Sequence, residues 1–324
     1  MTASHCKGIQ SFGDLINGGF FSTPAYDETM NPNQPSCKHI QKPAWLRRRL
    51  PSGPAYETVR TLLKDSQLHT VCQEARCPNQ WECFSARTAT FLIMGSSCTR
   101  NCRFCAVEQG PVHPLDPREP LRVAETVLQL GLTYVVITSV TRDDLSDGGA
   151  RHFAEVIQAV RKRMPEVGIE VLIPDFQGNP HALKIVLDAN PNVLNHNMET
   201  VPRLYPKVRP EAVYPRSLLL IQQAGAAGPQ IQTKSGLMLG MGETPDEVRR
   251  TLKDLRHAGC RILTLGQYLQ PSSDQLPVER FIPPDEFDAW KIEARAMGFS
   301  QVASGPFVRS SYHAKELSAL SLGP

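Results

Sequence analysis

The chain has 324 residues, with 35 Lys and Arg against 32 Asp and Glu, and a formal net charge of +3. That balance argues against the concentrated basic stripe of a nucleic-acid binder, and 41% hydrophobic with 21% charged residues argues against a disordered chain. Apolar runs such as residues 134–137 and 217–221 stay far short of the roughly 20 residues a membrane-spanning helix needs.

Residues 1–40 are rich in Gly, Ser, Pro and Asn, lack a sustained apolar period, and read as a loose extension. The first eight residues carry no apolar segment, and Asp14, Asp27 and Glu28 follow. Neither a secretory signal nor an acid-poor transit peptide fits, so a cytoplasmic location is expected. Thiols stay reduced in that compartment, and clustered cysteines then point to metal binding or catalysis rather than disulfides. Cys6 and Cys37 lie outside any metal spacing and read as incidental free thiols. The segment 41–84 starts with a basic run, Arg47-Arg48-Arg49, which is either a solvated face or a dock for an acidic partner. A helix is expected over 56–65.

Six of the nine cysteines fall between positions 72 and 105, as Cys72-x4-Cys77-x5-Cys83 and Cys98-x3-Cys102-x2-Cys105. Structural zinc wants four closed ligands, and ferredoxin-type electron transfer wants four thiolates per cluster. Each triplet supplies three. Three thiolates suit a cubane that keeps one iron open to a small molecule. The second triplet directly follows a strand-like run at 89–95, so it sits at the C-terminal end of a first strand, where βα-barrel enzymes place their chemistry.

Between 85 and 283 the pattern alternates. Strands are expected at 89–94, 133–138, 168–173, 193–197, 231–239 and 261–268, with helices near 121–131, 148–164, 180–190, 214–227 and 244–258. This alternation means βα units on a parallel sheet. Thr244-Pro245-Asp246-Glu247 is a capping box with Pro at the first helical position, and Asn179-Pro180 is a second helix start. Gly240-Met241-Gly242-Glu243 lacks the full phosphate-binding fingerprint. Cys260 reads as structural. His196, at a strand end, is either a site residue or a packed histidine. Residues 284–324 form a C-terminal extension with a helix near 284–297. By residue type, Ser310 and Ser311 would cap a helix over 314–320.

Cys98-Thr99-Arg100-Asn101-Cys102-Arg103-Phe104-Cys105, with an aromatic before its last Cys, is similar to the loop of the radical S-adenosylmethionine enzymes. The run from Cys72 to Cys83 resembles the auxiliary-cluster motif of the lipoyl synthase family, and Arg309-Ser310-Ser311-Tyr312 resembles that family's C-terminal signature. Segments around Arg142-Asp143-Asp144, Pro174-Asp175-Phe176, Asn195-His196-Asn197, Lys234-Ser235-Gly236 and Gly266-Gln267-Tyr268 extend the resemblance over about residues 40 to 315.

The resemblance implies a partial (β/α)6 TIM-like barrel whose open face is covered by N-terminal and C-terminal extensions. It implies two [4Fe–4S] clusters, one on Cys98, Cys102 and Cys105 and one on Cys72, Cys77 and Cys83. Ser311 would cap the second, with Ser310 the less favoured neighbour. S-adenosylmethionine would take the open iron of the first. Thr138 and Ser139 would meet its amino group, Glu199 and Lys234 would be further cofactor contacts, and Arg142, Asp143, Glu243 and Gln267 would line the cavity. The implied activity is radical insertion of sulfur at C6 and C8 of a protein-bound octanoyl chain, with the auxiliary cluster consumed as donor. Implied partners are octanoylated lipoyl-domain proteins (2-oxoacid dehydrogenase E2 subunits, the glycine cleavage H protein) and a reductant such as flavodoxin or ferredoxin, with no nucleic acid and no membrane. One departure is Gln275, where relatives carry a basic residue, which bears on local substrate contacts. The competing readings are another sulfur-inserting enzyme of the same superfamily and a non-catalytic iron–sulfur carrier. Reductive cleavage of S-adenosylmethionine separates the carrier from both enzymes.

Overall fold

The computed structural model describes residues 41–47, 53–86 and 88–319. Cys6, Cys37, Arg48 and Arg49, and with them the loose extension, lie outside the described residues. Helix α1 (Pro54–Asp65) starts on a proline and buries Tyr56, Val59 and Leu63 on one face. A two-residue strand β1 (His69–Thr70) leads into the short helices α2 (Val71–Glu74) and α3 (Gln80–Ser85).

Strand β2 (Thr90–Ile93) opens the alternation, followed by the small pair β3 (Ser97–Cys98) and β4 (Glu108–Gln109). Helices α4 (Glu119–Leu130), α5 (Ala150–Arg163) and α6 (Pro180–Asp188) alternate with β5 (Tyr134–Ser139), β6 (Gly168–Leu172) and β7 (Val193–Asn195). The rest is α7 (Tyr205–Val208), α8 (Tyr214–Ala226), β8 (Gln232–Leu239), α9 (Pro245–His257), β9 (Ile262–Gln267), α10 (Pro284–Ala296), β10 (Gln301–Gly305) and α11 (Ala314–Ala319).

The main sheet runs β1-β2-β5-β6-β7-β8-β9-β10 and does not close on itself. Seven strands, β2 and β5 to β10, are parallel; β1 pairs antiparallel with β2. Sequence pattern points to six parallel strands. The seventh, β10, belongs to the C-terminal extension and pairs Val302 with Leu263. Its residues, Gln-Val-Ala-Ser-Gly, bury only Val302 fully, so it carries almost no hydrophobic signal.

Residues alternate between the two faces of each strand. Phe91, Ile93, Val135, Ile137, Ile169 and Val171 pack outward on α4, α5 and α6; Leu237, Leu263 and Leu265 pack on α9 and α10. The other face carries Thr138, Glu170, Lys234, Gly236 and Thr264 and forms the concave interior. Both expected caps are present. Thr244 Oγ1 accepts from the Glu247 N–H while Glu247 Oε2 accepts from the Thr244 N–H, and Asn179 Oδ1 accepts from His181 and Ala182. Because α11 starts at Ala314, His313 occupies its cap position, and the serines lie upstream.

Candidate active site at the strand ends

After β2 the chain turns through Met94 (φ 70°) and Gly95 (φ 95°), both in the left-handed region. The turn is pinned: Glu119 Oε2 accepts the Met94 N–H at 2.9 Å and lies 2.6 Å from His152 Nε2. The loop that follows carries Cys98, Cys102 and Cys105. Cys98 Sγ accepts N–H groups from Thr141 (3.3 Å) and Arg100 (3.5 Å), and Cys105 Sγ accepts from Val107 (3.4 Å). The Arg103 N–H donates to Val208 O at the end of α7, and the Leu276 N–H in the loop after β9 donates to Arg103 O, so the loop is also held from the far side of the sheet. Gln275 Nε2 donates to Cys105 O at 3.2 Å, which places the departing residue directly on this loop.

Burial pushes the Cys105 thiol up to about 12 and raises Cys102, and the neighbouring thiols reinforce both shifts. A thiol so placed ionises readily only against a positive centre such as bound iron. The six cysteines of the two triplets are free thiols. N–H donors aimed at sulfur also suit ligated thiolate. Among the described residues no three His, Cys, Asp or Glu side chains converge on one ion; a cubane instead carries its thiolates on separate irons, further apart.

The second triplet is built by α2 and α3. Cys72 is buried on α2, the Cys77 N–H donates to Cys72 O, and the Cys83 N–H donates to Asn79 O. Tyr56 stacks on Trp81 with ring centroids 4.4 Å apart, fixing α3 on α1. Burial pushes Cys72 up to about 12 and raises Cys77. The C-terminal segment comes to this region: Asn79 Nδ2 donates to Phe307 O (2.7 Å) and the Tyr312 hydroxyl donates to Glu82 Oε1 (2.6 Å). Cys83 and Ser311 line one cavity of about 450 Å³, with Thr90, Tyr134 and Val136. Ser310 points elsewhere, 2.6 Å from Asn197 Nδ2. A Cβ at Gly236 would sit 3.2 Å from Ser310 Oγ and 2.4 Å from Thr264 Oγ1, so only glycine leaves room for the segment there.

The half-buried Arg309 lies within electrostatic reach of both Cys77 and Glu199, and burial holds its pKa below the usual value. The link from the second triplet to the strand ends is made by the neighbours of Arg309 in the segment, through Phe307 O on Asn79, Tyr312 on Glu82 and Ser310 on Asn197. Glu199 adopts φ 65°, accepts from Asn197 Nδ2 at 3.0 Å, and has its carboxyl pKa raised by burial against the opposing pull of Arg209. The Arg209 guanidinium donates to the carbonyls of Asn197 and Met198. Among the described residues its Nε has no partner, and neither has the buried Ser139 Oγ at the end of β5. Buried polar atoms without partners are rare and call for an explanation. Thr138, by contrast, is committed to Leu172 O.

Lys234 is not brought to this site. It is fully buried within the sheet, Nζ 2.8 and 3.1 Å from the Glu170 oxygens, which also accept from Tyr134 OH and Asn195 Nδ2. Gln267 and Glu243 bind backbone groups of the 239–243 turn, Gln267 through Leu239 O and Glu243 through the Met241 N–H. Arg142 pairs with Asp144. His196 is a packed histidine: Nδ1 donates to Ile173 O and Nε2 accepts from the Ser217 hydroxyl, with burial pushing its pKa down to about 4. Cys260 is buried, its thiol 3.3 Å from Ile262 O. Sequence reasoning missed Arg100, Asp175 and Arg209. Arg100 meets its carboxylates 43 and 75 positions away, and Arg209 bonds main-chain carbonyls of Asn197 and Met198, contacts that no charge pattern in the sequence signals.

A radical SAM superfamily profile matches residues 92–255, and a profile of the N-terminal domain of lipoyl synthase matches residues 9–77. The lipoyl synthase of Desulfotalea psychrophila is 60% identical over 289 residues, covering 87% of this chain and 97% of that protein. That of Chlorobium phaeovibrioides is 54% identical over 277 residues, covering 85% and 97%. Among solved structures, HydG, a maturase of the [FeFe]-hydrogenase, superposes with TM-score 0.53 at 15% identity, covering 72% of this chain and 54% of that one. Streptococcus suis SuiB bound to S-adenosylmethionine gives 0.53 at 10%, covering 69% and 54%. The structural matches speak for the fold, and the sequence matches, spanning nearly the whole of each relative, place this chain in the lipoyl synthase family of radical S-adenosylmethionine enzymes.

Proposed function

We propose that the chain converts a protein-bound octanoyl group to a lipoyl group, inserting sulfur at C6 and C8. Those carbons carry no acidic proton, so no general base in the chain could activate them. When bound, S-adenosylmethionine and the two [4Fe–4S] clusters supply a reductively generated radical able to take hydrogen from such carbons, together with the sulfur. The protein's share is to bind, orient and shield. Cys98, Cys102 and Cys105 hold the radical-generating cluster. Ser139 and Arg209 offer unpaired polar atoms to the amino and carboxylate groups of the cosubstrate, beside Glu199. Cys72, Cys77 and Cys83 hold the donor cluster, and Ser311 supplies a hard oxygen ligand, weaker toward iron than thiolate and so suited to a cluster that must be opened.

One observation supports this reading above the others: the 307–312 segment bonds Asn79 and Glu82 beside the second triplet and, through Ser310, the Asn197 side chain that holds Glu199 at the strand ends. The substrate is an octanoylated lipoyl-domain protein, such as an E2 subunit or the glycine cleavage H protein, and a flavodoxin or ferredoxin supplies electrons. No helix among the described residues is long and apolar enough to cross a membrane. The test is mass spectrometry of an octanoylated lipoyl-domain peptide after anaerobic incubation with reduced enzyme and S-adenosylmethionine. A product with two added sulfurs is expected. Cosubstrate cleavage without sulfur transfer to this peptide would refute the substrate assignment, and no cleavage at all would refute the enzyme.

A further inference from the structure

Arg100 lies inside the cysteine loop, two residues from Cys98 and two from Cys102. Its side chain is only 5% exposed. Nε contacts Asp143 Oδ2 (2.5 Å), and Nη2 contacts both Asp143 Oδ1 (2.9 Å) and Asp175 Oδ1 (2.6 Å). The other Asp175 oxygen accepts from Arg216 Nη1 at 3.1 Å. Asp143 follows β5, Asp175 follows β6 and Arg216 lies on α8, so one guanidinium ties the cysteine loop to the ends of two strands and, through Asp175, to α8. Two cations and two anions make the network neutral. Thr99 adds a second tie to the same side, donating from Oγ1 to Thr141 O (2.9 Å) and accepting the Asp143 N–H (3.1 Å). The anchor beneath Asp175 is itself strained: Phe176, Gln177 and Gly178 are three consecutive left-handed residues, φ 45°, 52° and 82°.

We infer that Arg100, Asp143, Asp175 and Arg216 act as positioning residues, holding the Cys98–Cys102–Cys105 loop in its ligating shape and setting the charge beside it. The inference rests on the reading of that triplet as the radical-generating cluster site. Charge-assisted, desolvated hydrogen bonds with two-point geometry are strong and directional, which is what a loop must have to keep three sulfurs in place around an open iron. Asp175→Asn would break the neutrality, leaving one uncompensated positive charge near the cluster, which favours the reduced, more negative state. The side-chain bonds that Arg100 and Arg216 make to Asp143 and Asp175 all lie on the Cys98 side, so the second cluster serves as an internal control.

The experiment compares parent, Asp175→Asn, Arg100→Lys and the milder Arg216→Leu, all anaerobically reconstituted. Cluster-resolved spectroscopy follows iron release to a chelator and the midpoint potential of each cluster. The expected result is release from the Cys98 site about tenfold faster in Asp175→Asn and Arg100→Lys, the factor expected for losing one strong hydrogen bond. Arg216→Leu should show a smaller change in the same direction. Asp175→Asn should also shift the potential of that cluster upward, while release and potential at the Cys72 site stay unchanged. Equal acceleration at both sites would mean general destabilisation and overturn the inference, and so would no change at either. Should Asp175→Asn fail to fold, Arg216→Leu decides alone by the same site-selective criterion. Failure of the underlying reading looks different: the parent protein itself would then show no spectral response of the Cys98 site to S-adenosylmethionine.

Discussion

Replacing Lys234 by Met removes the only cation that faces the Glu170 carboxylate inside the barrel among the described residues. The two side chains are 0% and 1% exposed, so water cannot take over. Removing one partner of a buried pair costs about 3–5 kcal/mol. Glu170 would keep two neutral donors, the Tyr134 hydroxyl at 3.0 Å and Asn195 Nδ2 at 3.2 Å, which places the expected loss at the lower end, about 3 kcal/mol. At about 2–4 °C per kcal/mol for large domains, the apparent melting temperature should fall by roughly 6–12 °C. Adding Glu170→Gln neutralises the orphaned charge, keeps one acceptor oxygen for Asn195 Nδ2 and turns an amide N–H toward the Tyr134 hydroxyl, which can accept it, and should recover more than half of the loss. The assay is thermal unfolding of the anaerobically purified protein, paired with S-adenosylmethionine cleavage per folded molecule well below the transition. A Lys234→Met variant that melts with the parent but has lost affinity for the cosubstrate would refute this account, and would make the lysine a cofactor contact after all.

Changing Cys98, Cys102 and Cys105 together to Ala should leave about half the iron of a two-cubane protein and abolish cosubstrate cleavage; zinc in both sites after anaerobic purification would contradict this. Changing Cys72, Cys77 and Cys83 to Ala should preserve cleavage and eliminate lipoyl product, as read by the peptide mass assay. Ser311→Cys should keep both iron content and cleavage while cutting product sharply, because a fourth thiolate makes the cluster harder to open; near-normal lipoyl yield would sink the ligand assignment. Stability should also fall on acidification. His196 is neutral in the fold until about pH 4, whereas an unfolded histidine takes a proton near 6.5. Its stabilising contribution is therefore complete above pH 6.5 and is lost as pH falls toward 4, by about 3 kcal/mol in all. Denaturant midpoints measured across that range should slope less in His196→Gln, and an identical slope would exclude His196 as the source.

Chemistry and local structure were legible in the chain itself. The spacing of six cysteines, the capping box at Thr244 and the Pro-initiated helix after Asn179 depend on residues a few positions apart, and short-range geometry determines them. So does the βα alternation, because a parallel sheet covered on one side by helices leaves a hydrophobic rhythm in each strand. Only the tertiary structure decided where charges go. Lys234 reads as a site residue because it lies on a strand beside motif positions; its partner, Glu170, is 64 residues away and meets it through the register of β6, β7 and β8. Strand β10 escapes detection because its neighbours, rather than its own apolar side chains, hold it in the sheet. Ser310 and Ser311 are equivalent as adjacent serines, yet the path of the segment past Gly236 sends one to Asn197 and the other to the cavity of Cys83. Contacts across some 230 residues, such as Tyr312 to Glu82, follow from how the extensions cross the open barrel, and no local pattern encodes that path.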